Sequence, residues 1–312
     1  MKEILISGAN GKLGAKLFAH YLARGWQPKA LVRNQVTFNS VDVLPELDIK
    51  GLIPKKISFS DFGHMTSGAD ALIHTAALTP KRNVKLKEFI GSNSISTYFL
   101  AKKAGDRKIK TFVYISTSQV YGSNSKLGQP FKPSCKLDPK NSYATSKALG
   151  EVLLAKISKD YPEMKIIILR VPLIYHERAG GVLGLLLFAL KYRIPLPLGG
   201  FDGKWSMISL DKLLDVLVRL VDAPVPGSCI VNCSDGFNES IKEFAERMSN
   251  GRGSDRCNID ITGFVRNFFD FCGWGNPLDR YIQPFELDTD TSIFLSEWEP
   301  DIDFLLYRRS VD

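Results

Sequence analysis

Three glycines, Gly8, Gly11 and Gly14, constrain this chain more than any other feature. They follow a short apolar run, Glu3 to Ser7, and precede a helical pattern through Leu17, Phe18, Tyr21 and Leu22 that ends at Gly25. A strand, a glycine-rich turn and a helix in that order form the dinucleotide-binding βα unit. Gly8 permits the tight turn, Gly11 lets backbone approach a pyrophosphate, and Gly14 lets the helix pack close on its strand. The phosphates then sit at the helix N-terminus, where free amides and the helix dipole favour anions. The expectation is a parallel sheet with a dinucleotide at the end of its first strand.

The second strand, Lys29 to Val32, ends in Arg33-Asn34. An acidic residue here would accept from a ribose 2′-hydroxyl, as NAD selection requires. Arg33 instead offers a planar cationic fork suited to a 2′-phosphate, so NADP(H) is favoured, with NAD(H) the alternative. Residues 35–54 read as irregular, Lys56 to Phe59 as a third strand, and Asp61 and Phe62 follow it as candidate adenine contacts. Ala71 to His74 forms a fourth strand leading into Thr75-Ala76-Ala77, small residues that leave backbone open to a cofactor. His74, inside an apolar strand, reads as a structural histidine. Phe89 to Ala104 reads as a helix in which Asn93 is a polar outlier, placed to anchor a water or a bend in the backbone.

A buried strand, Phe112 to Ile115, then leads into Ser116-Thr117-Ser118-Gln119, and after a Pro- and Ser-rich loop comes Tyr143-Ala144-Thr145-Ser146-Lys147. On a helix, positions four apart share a face. A free phenol titrates near pH 10 and is a poor acid or base at neutrality; a lysine ammonium beside it favours the phenolate and improves it for proton transfer. Thr117, at the end of the preceding strand, supplies a hydroxyl to the same reacting oxygen. Tyr-x-x-x-Lys alone describes many exposed helix faces; the upstream glycine turn gives it weight.

The apolar strand Ile166 to Leu169 and the alternation of strands with helices predict an α/β, doubly wound parallel sheet of Rossmann type, covered on both faces. The pattern changes after Tyr175. Residues 1–175 read as the dinucleotide-binding domain and 176–312 mostly as a smaller substrate-binding lobe, with a late strand within about 206–236 returning to the first domain.

The net charge of +8 is scattered, with no run of five basic residues, so a nucleic-acid partner is not expected and attraction of an anionic substrate is. Cys135, Cys229, Cys233, Cys257 and Cys272 contain no Cys-x-x-Cys pair and share no ligand spacing with the histidines, so no metal and no disulfide is expected, which fits a reducing, cytoplasmic setting. The most apolar run, Val182 to Leu190, is too short to span a bilayer.

Taken together, Gly8-x-x-Gly11-x-x-Gly14, His74-Thr75-Ala76-Ala77, Ser116 to Gly122 and Tyr143-x-x-x-Lys147 resemble the extended short-chain dehydrogenases/reductases, whose members include nucleotide-sugar epimerases, dehydratases and 4-keto reductases. The resemblance implies Thr117, Tyr143 and Lys147 as the catalytic set. It implies Gly8, Asn10, Gly11, Lys12, Leu13, Gly14, Arg33, Asp61, Phe62, Thr75, Ala76, Ala77, Asn93 and Pro172 around the cofactor, and Ser118, Gln119, Lys204 and Arg280 around the substrate. Ser118 and Gln119 stand where dehydratases of the family carry an Asp-Glu pair, which argues against dehydration. Around Trp205, where an arginine is common in the family, only Lys204 is basic. The implied activity is hydride transfer at C4 of a nucleotide-linked sugar, by a 4-keto reductase or by a 4-epimerase that retains NAD; a non-catalytic dinucleotide sensor is the third reading. The family's two-fold four-helix interface implies a homodimer through helices Phe89–Ala104 and Tyr143–Ile157, whose apolar residues Ile95, Phe99, Leu100, Leu149, Val152 and Leu153 exceed one core-facing stripe.

Overall fold

The computed structural model describes residues 2–31, 35–39, 56–60, 67–80, 83–176, 181–192, 194, 198, 202–222, 227–248 and 283–294. The apolar runs form one main sheet. In chain order its strands are β1 (Ile4–Ser7), β2 (Lys29–Leu31), β5 (Ala71–His74), β6 (Thr111–Thr117), β7 (Lys165–Val171), β10 (Cys229–Asn232) and β12 (Ser292–Phe294). In space they run β12-β10-β7-β6-β5-β1-β2. Neighbours from β10 to β2 are parallel, and β12 pairs antiparallel on the β10 edge. This is the doubly wound sheet expected from the sequence.

Alternate side chains of a strand face opposite sides of the sheet, so each strand serves two cores. Leu5, Leu72, Phe112, Tyr114, Ile166 and Ile168 pack on one side with α3 (Ser96–Asp106) and α4 (Ser142–Asp160). Ile4, Ile6, Ile73, Val113, Ile167 and Leu169 pack on the other with α1 (Lys12–Ala23) and α6 (Leu210–Asp222). Burial on both faces explains why these strands read as unbroken apolar runs.

The third strand is a correction. Lys56 to Phe59 is extended, as β4 (Lys56–Ser60), but it pairs antiparallel with β3 (Gln35–Asn39) in a separate two-stranded sheet, within a stretch expected to be irregular. The sequences Gln-Val-Thr-Phe-Asn and Lys-Ile-Ser-Phe-Ser alternate polar with apolar residues. That pattern suits a half-covered antiparallel ribbon better than an inner parallel strand.

A second small sheet, β11-β9-β8, joins β8 (Leu173–Tyr175), β9 (Trp205–Ser209) and β11 (Asn238–Glu239). Its apolar cluster includes Leu183 and Leu186 of α5 (Gly181–Lys191) and Ile241, Phe244 and Ala245 of α7 (Ile241–Met248). Among the described residues no helix is long and apolar enough to cross a membrane.

Candidate active site

The carboxyl ends of β1, β5, β6 and β7 lie along one edge of the sheet, set by the registers Ser7↔His74 and Thr117↔Val171. β1 and β5 continue in opposite directions across the sheet, which opens a crevice at that edge, the usual ligand position in such folds. A cleft of ≈ 800 Å³ occupies it.

The first wall is the glycine turn. Gly8 has φ +76°, and a Cβ there would lie 2.6 Å from the backbone of Ala76. At Gly14 a Cβ would lie 2.1 Å from the Gly8 carbonyl oxygen, so the helix can cross the turn only without one. Gly11 donates to the Gly8 carbonyl at 2.8 Å and begins α1 with no side-chain cap and no acidic residue in its first turn. The first amides of the helix are therefore open to an anion, with Lys12 beside them. This cradle fits a dinucleotide pyrophosphate.

The second wall is Thr75-Ala76-Ala77, held from behind by Asn93. The helix there runs α2 (Leu86–Phe89), a π-helical turn over Ile90–Ile95, then α3. Asn93 in that turn accepts from the Leu78 amide at 2.7 Å and donates to the Leu78 carbonyl at 3.0 Å and to Ser146 Oγ at 3.0 Å. It is fully buried and fixes the wall from outside the cleft. His74 bonds Ser7 Oγ through Nδ1 and Thr97 Oγ1 through Nε2, at 2.6 and 2.9 Å, the satisfied structural position expected of it.

The third wall carries the candidate chemistry. Asn141 caps α4 by accepting from the Ala144 amide at 2.8 Å, which starts the helix at Ser142 and turns Tyr143 and Lys147 into the cleft. Thr117 Oγ1 accepts from the Gln119 amide at 3.3 Å, leaving its own hydrogen free to donate. Burial pushes the Tyr143 phenol up to about 12. Burial also pulls Lys147 down to about 7, against the opposing pull of Glu151, and its ammonium lies 4.2 Å from the centre of the Tyr114 ring. The sequence implied an ammonium favouring the phenolate. Burial acts in the opposite sense on both groups, raising the phenol and lowering the amine.

Gly8, Asn10, Gly11, Lys12, Leu13, Thr75, Ala76, Ala77, Thr117, Ser118, Gln119, Tyr143, Lys147 and Pro172 line the cleft together. Gly14 and Asn93 sit behind its walls. Lys204 lies outside it and is exposed, its backbone carbonyl accepting from Phe285. Arg33, Asp61, Phe62 and Arg280 lie outside the described residues. Residues that sequence reasoning missed include Lys140, Asn141, Leu173, Ile174, Trp205 and Phe285. Trp205 and Phe285 stack at 5.4 Å although eighty positions separate them, which leaves no local signal. Among the described lining residues there are three lysines, Lys12, Lys140 and Lys147, and no carboxylate, a balance that suits a polyanionic ligand.

Residues 4–204 match the profile of the NAD dependent epimerase/dehydratase family. The chain belongs to that family. It is thus an enzyme of the extended short-chain dehydrogenase/reductase group, and a nicotinamide dinucleotide is the family's cofactor. UDP-glucose 4-epimerase of Vibrio cholerae is 25% identical over 306 residues, covering 96% of this chain and 91% of that protein. WbmG of Bordetella bronchiseptica, solved in complex with NAD and UDP, shares the fold with TM-score 0.64 and 18% identity over 99% of this chain and 94% of that one. A dTDP-4-dehydrorhamnose reductase of Bacillus anthracis in complex with NADP does so with TM-score 0.57 and 18% identity, over 100% and 98%. Proteins described as an epimerase and as a reductase are thus both among the relatives and structural neighbours of this chain.

Proposed function

We propose that the protein is an NADP(H)-dependent 4-keto reductase of a nucleotide-linked sugar. The observation that supports this reading is the convergence of Thr117, Tyr143 and Lys147 on one cleft with the glycine turn of α1. Reduction of a ketone puts a hydride on carbon and a proton on oxygen, and Tyr143, with Lys147 one turn away to take up the phenolate charge, is placed to give that proton. A bound nicotinamide supplies the hydride chemistry; the chain supplies binding, orientation and the proton. Thr117 donates to the carbonyl oxygen as charge develops on it. Tyr143 gives that oxygen its proton, and Lys147 stabilises the phenolate left behind until solvent restores it. Lys12 and the open turn of α1 hold the pyrophosphate. The dinucleotide occupies the half built on residues 1–175, and the sugar nucleotide reaches from Tyr143 toward Leu173, Ile174 and Trp205.

An epimerase retaining NAD is the second reading. It is favoured by the similarity to UDP-glucose 4-epimerase over most of both chains. Arg33 separates the two, because net reduction draws on an exchangeable NADPH pool while an epimerase regains its hydride in each cycle. An arginine–phosphate contact contributes roughly 1.5–3 kcal/mol net, and about 1.4 kcal/mol is a factor of ten. We therefore expect wild type to prefer NADPH and Arg33→Asp to weaken it at least tenfold relative to NADH, in titrations followed by nicotinamide fluorescence. A wild type that prefers NADH, or that purifies with tightly held NAD, moves the epimerase into first place.

A further inference from the structure

Ser116, in the wall of the cleft, and Glu151 and Arg170 behind it are 3%, 0% and 0% exposed. Glu151 Oε1 accepts from Ser116 Oγ in a short hydrogen bond and from Arg170 Nε at 3.2 Å. Its Oε2 accepts from Arg170 Nε at 3.1 Å and Nη2 at 2.6 Å. The remaining guanidinium nitrogen, Nη1, donates to Tyr121 Oη at 2.9 Å and to the Pro133 carbonyl at 2.8 Å. Tyr121 in turn donates to Asn232 Oδ1 at 2.7 Å.

Each member precedes or follows a residue of the cleft on its own element. Ser116 is next to Thr117 on β6. Glu151 stands one turn beyond Lys147 and two beyond Tyr143, on the same face of α4. Arg170 leads through Val171 into Pro172 at the end of β7. One carboxylate therefore ties together the three elements that carry the candidate chemistry.

A gain in stability does not account for this arrangement. A buried ion pair rarely stabilises more than apolar residues of the same size would, and its best-attested use is to fix register. Register is what this site needs, since a misplacement of about 1 Å can cost about 10²-fold in rate. We infer that Glu151, acting through Ser116 and Arg170, is the positioning residue that holds Thr117, Tyr143 and Lys147 in one reactive geometry. The inference rests on the hydride-transfer reading only where turnover is assayed. The charged and titratable groups about Lys147 are Tyr114 beneath its ammonium, Tyr143 and Glu151 one turn away on either side, and Arg170 beyond Glu151.

The decisive comparison is Glu151→Leu/Arg170→Met, which replaces the pair by apolar side chains. It should melt at or above the wild-type temperature and bind NADPH as before, while kcat falls at least tenfold with KM within about twofold. A folded double variant that keeps kcat within twofold overturns the inference. Should that variant not fold, Ser116→Ala decides, because it cuts only the strand link: kcat falls several-fold with KM unchanged and Ser116→Thr restores it, whereas unchanged kcat overturns the inference. A substrate-free readout separates this from failure of the reductase reading. In protein labelled biosynthetically with ¹³C-lysine, the side-chain NMR signals of Lys147 should shift in Ser116→Ala, which alters no charge; unmoved signals overturn the inference even if no sugar nucleotide is found to react.

Discussion

Tyr143 and Lys147 show two sides of one burial. The phenol is pushed up to about 12 and the ammonium down to about 7, both by loss of water. Tyr143→Phe removes the transferable proton and little volume, so turnover should fall about 10²- to 10⁴-fold. NADPH binding by fluorescence should stay close to normal, and retention of most activity would take Tyr143 out of the mechanism. For Lys147 the sign follows from the direction of its shift. The unfolded chain holds the proton up to the ordinary lysine value of 10.5, the folded chain only up to about 7, so between those values the unfolded state binds more protons. Stability therefore rises with pH across that window, by about 1.4 kcal/mol per unit at most, and the full cost is present below pH 7. Lys147→Met should raise the melting temperature more at pH 6 than at pH 9 while lowering activity; an equal effect at both pH values would mean that the amine keeps its ordinary affinity for protons.

At the scale of elements, the contact between α4 and β6 decides where those side chains stand. Gly150 is the point of closest approach: a Cβ there would lie 2.5 Å from Tyr114 Oη and 3.2 Å from the Asn93 carbonyl oxygen. Gly150→Ala would gain about 1 kcal/mol in helix propensity. Overpacking a site with no room typically costs about 1–3 kcal/mol, so the clash should win. We expect a lower melting temperature together with a lower kcat, since Tyr114 must move from beneath Lys147; a stabilised variant would show that the helix simply slides. This contact also marks how far the sequence could be read. The strands were legible because burial on both faces makes them apolar throughout, and the glycine turn because backbone geometry leaves no alternative residue. Asn93 showed itself as a polar outlier in an apolar helix. Glu151 and Arg170 did not, because a charged residue paired in the core is written like one on the surface. Gly150 did not either, since a helix glycine shows its reason only when Tyr114, thirty-six residues earlier, is laid against it. The β3–β4 pairing escaped because one short extended run does not name its partner.

For the whole molecule, the open matter is assembly. The sequence suggested a homodimer from the apolar surplus of two helices. Ile95, Leu100, Leu149 and Leu153 are fully buried within the subunit and Val152 is 9% exposed, so that surplus is used inside. On the outer side of α3 and the turn before it, Ser92 is exposed and Ser96, Phe99 and Lys103 are half-buried, with Tyr98 edge-on to Phe99 at 5.4 Å. Small residues beside one large aromatic allow two helices to approach closely and give the approach an anchor. A stable interface needs about 800 Å² from each partner, so a dimer through this face is expected to take in the outer edge of α4 around Lys156 and Lys159 as well. We expect light scattering at micromolar concentration to give a dimer mass. Phe99→Asp places a charge at the centre of that face, whose cost without a partner is large, and should give a folded monomer. A wild-type mass of one chain, or a Phe99→Asp protein that stays dimeric, would remove this face from the assembly.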